Sequence, residues 1–459
     1  MGTKSRGKVN KKVALFIFGG TGDLARRKLY PAIEELLKSG RFPGLLGIYS
    51  LGRNESAVSG VRSKFKELGV SFEFIEFDVR DRDYYGALSD RIVNLPGVEL
   101  IFYLALPPAL FESTIVHLGS LLRAFTNPRK IVIEKPFGFD SASAKRLNFQ
   151  LRRYFTEEEI YRIDHFLGKL QVQNILSVRF SNYVFEGIWN KNFIDNVQVS
   201  ALEDIGLEGR GAYYDDIGAL RDMVQNHMLQ IMSFLAMEPP AAMDPEKVRD
   251  EKVKVLESVR RFSPEDVDRF TVRGQYRGYT EELGRESRTE TFVALKLYID
   301  NFRWEGVPFY LRTGKRLCEK RTQAIVVFKE VPPGFGRLVG CAPERNKIAF
   351  EIAPRNRLVF KFQVLGEKGG IACPVETSME TSVSQNPPEA YATLLEDVLT
   401  GDRSMFIRED ESELAWEIVQ PVLDRWEEDG KPVLYEPGTM GPVEAEKLVE
   451  KDGRKWELL

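Results

Sequence analysis

Apolar residues follow two different patterns along the chain. In the first third they form continuous runs that end in glycine or proline, as in VALFIF (13–18). A continuous run is typical of a strand that is buried on both faces of a parallel sheet. Further along, segments such as TFVALKLYI and RLVFKFQV are rich in β-branched and aromatic residues and often alternate, which is typical of strands. The chain is therefore predicted to have an α/β first domain and an α+β second domain.

The segment VALFIFGGTGDLARRKLYPAIEELLKSG predicts a strand, a glycine turn and a helix in that order. Gly19, Gly20 and Gly22 make the turn, and apolar residues then recur at helical spacing up to Gly40, which is expected to end the helix. In such a unit, N–H groups at the start of the helix face an anion, and the missing Cβ atoms let a pyrophosphate approach. The spacing GxxGxxA differs from the GxGxxG fingerprint, so by itself it fits a simple tight turn equally well.

The context of this turn favours a nucleotide. A second apolar run, LLGIYSLGR, ends in Arg53, where a dinucleotide-binding fold meets the adenosine ribose. An acidic residue there would bind the 2′-hydroxyl of NAD, whereas arginine suits the 2′-phosphate of NADP. The alternative is an exposed loop arginine. The runs VELIFYLALPP (98–108) and KIVIEKPFG (130–138) predict the fourth and fifth strands of a Rossmann-like sheet.

The rest of the sequence predicts a second domain. Two of its segments, ALRDMVQNHMLQIMSFLAM and AYATLLEDVLTG, have helical periodicity. Several strands without regular intervening helices indicate an antiparallel sheet. We place the dinucleotide-binding domain at 13–165 and the larger domain at 166–459, after a basic tail at 1–12 that is expected to be disordered. The predicted strands are FIDNVQVSALED, FTVRGQYRGY, TFVALKLYI, AIVVFKE, KIAFEIAP and RLVFKFQV.

Composition and charge narrow the classes of function. A net charge of −3 gives no field that would attract nucleic acid or an anionic membrane. No apolar run reaches the roughly 18 residues of a membrane span, and the first run is too short for a signal peptide. The cysteines Cys318, Cys341 and Cys373 lack CxxC spacing, which argues against a disulfide framework or a zinc site. We therefore expect a cytoplasmic protein without a bound metal.

Six motifs occur in an order that resembles the glucose-6-phosphate dehydrogenase family: FGGTGDLARRKLYP, FYLALPP, VIEKPFG, RIDHFLGK, LEGRGAYYDDIGALRDMVQNHMLQ and VPFYLRTGKRL. The resemblance runs from Val13 to the C-terminal GPVEAEKLVEKDGRKW. It implies oxidation of glucose 6-phosphate at C1 to 6-phosphogluconolactone with hydride transfer to NADP, the first step of the oxidative pentose phosphate pathway. NAD is expected to be a weaker or a second cofactor. A Rossmann-like N-terminal domain and a larger α+β domain are also implied, with a broad, mainly antiparallel sheet that carries the interface of a homodimer or homotetramer.

The resemblance gives roles to residues that spacing does not connect. Without context, His227 fits a buried helix residue, but it matches the family's general base, and Asp164 matches the aspartate that orients this base. Histidine suits the task because its unperturbed pKa of about 6.5 lies near the working pH. His165 and Lys169 are four residues apart, which on a helix would place both on one face. The resemblance implies that they bind the sugar phosphate, whereas a solvated helical face is the alternative.

Further positions match the family's contacts with substrate and cofactor. Taken singly, Glu203 and Asp222 would fit surface or capping acids, but they match the acidic residues that bind the sugar hydroxyls. Lys315 and Lys320 match lysine contacts of the second domain, and Lys135 is implied to touch both substrate and cofactor. A cis bond between Lys135 and Pro136 is plausible. The implied cofactor contacts are Gly19, Gly20, Thr21, Gly22, Asp23, Leu24, Arg53 and Lys135, and Arg26, Arg27 and Lys28 are expected near the adenosine.

Three positions depart from the family pattern. Phe166 stands where a tyrosine is common, Leu170 where a glutamate is usual after the lysine, and Phe111 where a tyrosine is frequent near the cofactor. These changes bear on affinity more than on the class of reaction. Two other functions stay open: a paralogue that uses another hexose phosphate or prefers NAD, and a non-catalytic sugar-phosphate or NADPH sensor. The presence of both Asp164 and His227 favours an enzyme, because a sensor has no need of a proton-transfer pair.

Overall fold

The structure is a computed structural model. Its described residues form two compact units. Most of the basic tail and Cys341 lie outside the described residues, as does the side chain of Cys373. The described residues are 11–209, 211–332, 334, 343–368, 371–382, 389–428 and 430–459.

The first unit consists of the described residues 11–168, 242–249 and 389–413. Its sheet has seven described strands in the order β15-β6-β5-β4-β1-β2-β3. All neighbours are parallel except β15, which pairs antiparallel with β6. The predicted Rossmann-like sheet is confirmed. The strands are β1 (Val13–Phe18), β2 (Leu45–Gly52), β3 (Ser71–Glu76), β4 (Glu99–Leu104), β5 (Arg129–Glu134), β6 (Ile160–Ile163) and β15 (Phe406–Ile407).

Helices of the first unit cover the parallel sheet. All residues of β1 and β4 and most residues of β5 are buried, so both faces of the sheet need apolar partners. Two longer helices, Pro245–Ser258 and Glu409–Glu428, have residues in both units. The other helical segments are Ala25–Leu29 (a π-helical turn), Tyr30–Lys38, Glu55–Val58, Ser59–Glu67, Tyr84–Val93, Pro108–Leu110, Phe111–Leu122, Ser141–Tyr154, Glu157–Glu159 and Ala390–Thr400.

The domain to which helix Ala390–Thr400 belongs was predicted wrongly, because the sequence analysis places this helix in the second domain. The structure includes it in the first unit, where Tyr391, Leu394 and Leu395 share one hydrophobic cluster with Ile33. The periodicity of a segment identifies its apolar face but not the surface that covers it, so this return of the chain could not be predicted.

The second unit contains the described parts of 169–241, 250–387 and 414–459. Its nine described strands follow the order β14-β13-β12-β11-β7-β10-β9-β8-β16. Only the pairs β7–β10 and β8–β16 are parallel, so the predicted mainly antiparallel sheet is confirmed. The strands are β7 (Ile194–Leu202), β8 (Thr271–Tyr276), β9 (Phe292–Tyr298), β10 (Pro308–Gly314), β11 (Arg321–Phe328), β12 (Lys347–Ala353), β13 (Arg357–Lys368), β14 (Ile371–Ser382) and β16 (Val433–Tyr435).

One helical region of this unit carries several motif residues. It begins with helix Gly211–Ala219, continues as the π-helical segment Leu220–Met228 and ends as helix Leu229–Ala236. Among the described residues, no helix combines the length and the apolar character that crossing a bilayer requires. The other helices are Leu170–Phe180, Tyr183–Glu186, Pro264–Phe270, Tyr279–Leu283 and Val443–Glu450.

Candidate active site

The glycine turn after β1 forms a cradle at the carboxyl end of the parallel sheet. Gly19 has a left-handed φ of 76°, and a Cβ there would lie 2.2 Å from the carbonyl oxygen of Ala105, so no larger residue fits. The hydroxyl of Tyr30 donates to the carbonyl of Gly20 at 2.8 Å and ties the following helix to the turn. The close backbone approach and the N–H groups at the helix start suit a pyrophosphate.

The turn borders a cavity of about 290 Å³. Of the predicted cofactor contacts that line it, Arg53 is the only charged one. Asp23 instead is exposed and pairs with Arg27 at 2.8 Å, and Leu24 packs against the hydrophobic core. The cavity is lined by Gly19, Thr21, Gly22, Leu51, Gly52, Arg53, Phe77, Asp78, Val79, Arg80, Ala105, Leu106, Pro107 and Leu110.

Arg53 directly follows β2 and is exposed at this cavity. Within the described part of the chain its guanidinium makes no hydrogen bond or ion pair, so its donors are available to a ligand phosphate. Arg26 and Arg27 do not line the cavity, and neither does Lys28, which pairs with Glu389 at 3.0 Å. Within this unit Arg53 is therefore the predicted cation whose position fits the 2′-phosphate.

A second group of residues follows β5 and β6, which are parallel neighbours. Lys135 comes directly after β5, and its bond to Pro136 is cis. Asp164 follows β6 and is fully buried, and its Oδ1 accepts the N–H of Phe166 at 2.9 Å. His165 is half-buried, with its ring parallel to that of Tyr391 at a centroid distance of 6.3 Å.

The prediction that His165 and Lys169 share a helical face is wrong. Residues 165–168 form turns, Lys169 is extended with φ −77° and ψ 129°, and the helix begins at Leu170. The side chain of Asp164 accepts the Phe166 N–H, and its carbonyl accepts the N–H of Leu167 at 3.0 Å. Such a local turn competes with a helix for the same backbone donors. The phosphate-binding role of the pair stays a prediction that no longer depends on helical geometry.

Glu134, the last residue of β5, is a site residue that the sequence analysis missed. It is buried, and the hydroxyl of Tyr103 donates to its Oε1 at 2.5 Å. Burial raises the pKa of Glu134 to about 7, against the lowering effect of hydrogen bonds from Tyr103 and Tyr391, and the charge of Asp164 raises it further. Glu134 thus links the end of β5, directly before Lys135, to Tyr391, which packs on His165. The sequence did contain a signal for this role, because Glu134 is an acidic residue at the end of an apolar strand and directly precedes the motif lysine Lys135.

We expect Glu134→Gln to change how stability depends on pH. Because the pKa of Glu134 is higher in the folded state than its ordinary value of 4.5, its contribution to stability is full below about 4.5 and is lost as pH rises to about 7. The melting temperature of the wild type minus that of the variant should therefore fall between pH 5 and pH 7 and stay constant above. The slope corresponds to at most about 1.4 kcal/mol per pH unit.

Thermal unfolding followed by circular dichroism at several pH values would measure this difference. Glu67→Gln, at an exposed helix end, is the matched control and should leave the pH profile unchanged. A difference between wild type and Glu134→Gln that does not vary with pH would contradict the assignment.

In the second unit, the ends of the neighbouring parallel strands β7 and β10 bring two of the predicted substrate-binding residues together. Glu203 follows β7 and Lys315 follows β10, and the Nζ of Lys315 lies 2.6 Å from the Oε2 of Glu203. The same Nζ lies 4.8 Å from the ring centroid of Tyr214. Burial raises the pKa of Tyr214 well above its ordinary value, and the negative charges of Asp222 and Glu203 add to this effect. Glu203, Lys315 and Asp222 therefore surround one buried tyrosine, which the sequence analysis did not single out.

His227 and Asp222 lie on the segment Leu220–Met228. His227 is buried, with 1% of the residue exposed. Lys320, by contrast, is exposed just before β11 and makes no ion pair within the described residues. The structure thus gives Lys315 a partner among the predicted substrate residues, whereas the role of Lys320 is supported by the sequence alone.

Glu290 fixes the start of the segment that carries Asp222 and His227. It is buried, and its Oε1 accepts the N–H of Leu220 at 3.0 Å. Gly218 has φ 72°, and a Cβ there would lie 2.4 Å from the same oxygen, so the chain approaches the carboxylate through a glycine. The first N–H groups of a helical segment have no acceptor within the segment, and the buried carboxylate of Glu290 accepts one of them. The sequence carried no signal for this pairing because the two residues are far apart in the chain.

The chain is similar to known proteins over nearly its whole length. The family model described as "Glucose-6-phosphate dehydrogenase, NAD binding domain" matches residues 16–174, and the model of the C-terminal domain of the same enzyme matches residues 176–457. A glucose-6-phosphate 1-dehydrogenase of Bacillus subtilis is 39% identical over 97% of this chain and 98% of its own length. One from Rhizobium meliloti is 40% identical over 96% of each chain.

Solved structures agree with this similarity. A glucose-6-phosphate dehydrogenase in complex with its substrate glucose 6-phosphate matches with a TM-score of 0.88 and 31% identity, over 98% of this chain and 99% of the other. The glucose-6-phosphate 1-dehydrogenase of Mycobacterium avium matches with a TM-score of 0.84 and 34% identity, over 97% and 98% of the two chains.

Proposed function

The chain belongs to the glucose-6-phosphate dehydrogenase family, and from this premise we propose how its residues carry out the reaction. The protein oxidises glucose 6-phosphate at C1 to 6-phosphogluconolactone with NADP, in the first step of the oxidative pentose phosphate pathway. The observation that carries this function is the full-length match, which includes the motifs of both domains. Initial rates with glucose 6-phosphate and either NADP or NAD, followed at the absorbance band of the reduced cofactor, test it.

The cofactor would be held by the first unit. The backbone of the turn Gly19–Gly22 suits the pyrophosphate because Gly19 has no Cβ, and Arg53 offers an unpaired guanidinium within the described residues for the 2′-phosphate. Bound NADP supplies the acceptor for the hydride that leaves C1. Lys135, next to the end of β5, would contact both cofactor and sugar.

Proton transfer is assigned to His227 and Asp164. His227 would take the proton of the C1 hydroxyl, and Asp164 would accept a hydrogen bond from the imidazole and stabilise the imidazolium. The burial of both side chains supports this assignment, because a carboxylate–imidazole interaction is stronger away from water. The resemblance of RIDH and QNH to the family motifs also supports the assignment of the two residues as partners.

Substrate binding is assigned to a set of charged residues. Glu203 and Asp222 would accept hydrogen bonds from the sugar hydroxyls, and the ion pair of Lys315 with Glu203 supports a fixed acceptor geometry. His165 and Lys169 would bind the 6-phosphate, with Lys320 as a further cation. Phe166 is buried, so a tyrosine in its place would carry its hydroxyl group at a position shielded from solvent, and this chain lacks that group.

We also infer a homodimer or homotetramer in the cytoplasm. Large apolar side chains are exposed on one face of the outer strands β13 and β14, with Phe362 at 40% and Val364 at 47% on β13 and Met379 at 65% on β14. Apolar groups that stay exposed together on neighbouring strands are typical of a surface that another chain covers. Sedimentation of Val364→Glu should then yield smaller species than the wild type, and an unchanged sedimentation coefficient would contradict this surface.

Arg53→Ala should weaken NADP binding far more than NAD binding. Only NADP presents a 2′-phosphate, and the loss of one charge-assisted hydrogen bond costs roughly 1.5–3 kcal/mol, or about 10- to 150-fold in affinity. The KM values for both cofactors at saturating glucose 6-phosphate would measure the effect. Equal losses for NADP and NAD would show that Arg53 does not discriminate between them.

His165→Asn or Lys169→Ala should raise the KM for glucose 6-phosphate and leave the KM for NADP nearly unchanged. A charge-assisted contact to the phosphate is worth roughly 10-fold or more in affinity. Free glucose lacks the phosphate, so its slow oxidation should be affected far less. A parallel fall in the oxidation of glucose and of glucose 6-phosphate would remove the phosphate assignment.

A further inference from the structure

Two charged residues of the cofactor cavity have no role in the function described above. Asp78 and Arg80 follow β3 and line the same cavity as Arg53. Arg80 contacts both carboxylate oxygens of Asp78: its Nε and its backbone N–H donate to Oδ1 at 3.0 and 3.1 Å, and its Nη2 donates to Oδ2 at 2.6 Å. This bidentate contact is the strong form of an arginine–carboxylate interaction.

The charge of Asp78 matters because of what else the cavity holds. Arg80 lowers the pKa of Asp78 well below its usual range, and the positive charge of Arg53 lowers it further, so Asp78 is ionised and within electrostatic reach of Arg53. Yet Arg53 makes no ion pair with Asp78 or any other described residue. Arg80 donates to both oxygens of Asp78 and compensates its negative charge, whereas Arg53 makes no contact of this kind with them.

We propose that Arg80 determines the preference for NADP by acting through Asp78. It holds both carboxylate oxygens, so Asp78 neither pairs with Arg53 nor presents an uncompensated negative charge to the 2′-phosphate. Arg80 is a positioning residue in this role. The inference rests on the proposed binding of the 2′-phosphate by Arg53.

Without Arg80, two effects act in the same direction. The freed carboxylate attracts the guanidinium of Arg53, and it repels the phosphate dianion of NADP. NAD carries a neutral 2′-hydroxyl at this position, so neither effect weakens its binding. The preference for NADP therefore falls, and it falls more at low ionic strength, where exposed charges are less screened.

Calorimetric titration of the protein with NADP and with NAD tests this proposal without requiring turnover. Arg80→Ala should raise the Kd for NADP about 10-fold and leave the Kd for NAD within about twofold. Asp78→Asn should keep the wild-type preference, and the double variant Asp78→Asn/Arg80→Ala should recover most of the lost NADP affinity. Arg82→Ala, an exposed arginine on the same loop that does not line the cavity, controls for the change in net charge. Its Kd values should match the wild type.

The outcomes separate the possible roles of Arg80. A double variant as weak as Arg80→Ala would mean that Arg80 binds the phosphate directly, and this result would overturn the action through Asp78. An Arg80→Ala protein with wild-type Kd values would overturn any role in specificity. If the wild type bound NADP and NAD equally, both the role of Arg80 and the proposed role of Arg53 would be wrong. If Arg53→Ala removed the preference for NADP and Arg80→Ala did not, only the role of Arg80 would be wrong. KM values for both cofactors should follow the Kd values, with kcat nearly unchanged.

Discussion

His227→Asn should lower kcat for glucose 6-phosphate by about 10²–10⁴-fold, the usual contribution of a positioned acid–base group. Asparagine is similar in width and keeps a polar group inside the buried segment, so the variant should fold. Without the imidazole, the proton of the C1 hydroxyl has to leave to water or to a weaker base while the hydride departs. The KM for glucose 6-phosphate should change little, because the groups assigned to the phosphate and the hydroxyls are retained.

Steady-state rates with both cofactors would measure this loss. The same factor is expected with NADP and with NAD, because the base acts on the sugar, and this separates His227 from Arg53. His117→Asn is the matched control: this histidine lies on helix Phe111–Leu122, with its ring edge-on to Tyr85 at 5.2 Å. It should keep the wild-type kcat. A near-normal kcat for His227→Asn would remove the base assignment.

The parts of the fold that followed from the sequence are those in which local pattern and environment agree. The runs that form β1 and β4 are apolar at every position and are buried at every position, because each lies inside a parallel sheet with both faces covered. Gly40 lies just after helix Tyr30–Lys38, with the positive φ that such a helix end favours. Here a residue and its immediate neighbours contain all the information that the prediction needs.

The parts that did not follow depend on contacts between distant residues. Glu290 caps a segment that begins at Leu220, and Arg80 holds Asp78 near Arg53 only because the neighbouring strands β2 and β3 end at one edge of the sheet. The turn that follows Asp164 was missed for a local reason, since an aspartate side chain can replace a helical backbone contact and spacing does not reveal which contact it makes. Motif resemblance can name such a residue, but its partners come from the three-dimensional arrangement.

Asp164→Asn should lower kcat by a factor comparable to that of His227→Asn, roughly 10²–10⁴-fold, for a different reason. The amide has the shape of the carboxylate and can still accept the N–H of Phe166, which Oδ1 of Asp164 accepts at 2.9 Å, so the turn should be kept. The variant loses the negative charge that would stabilise the imidazolium, and its amide can donate to the ring and favour the wrong tautomer.

The double variant Asp164→Asn/His227→Asn tests whether the two residues act as one unit. If Asp164 works only through the imidazole, its charge has nothing to stabilise once His227 is gone, and the double variant should be little slower than the slower single variant. The kcat values of the wild type, both single variants and the double variant complete the cycle. Titration of each variant with glucose 6-phosphate would verify that the substrate still binds. Losses that multiply in full would mean that the residues act independently, and the assignment of Asp164 as the partner of His227 would then fail.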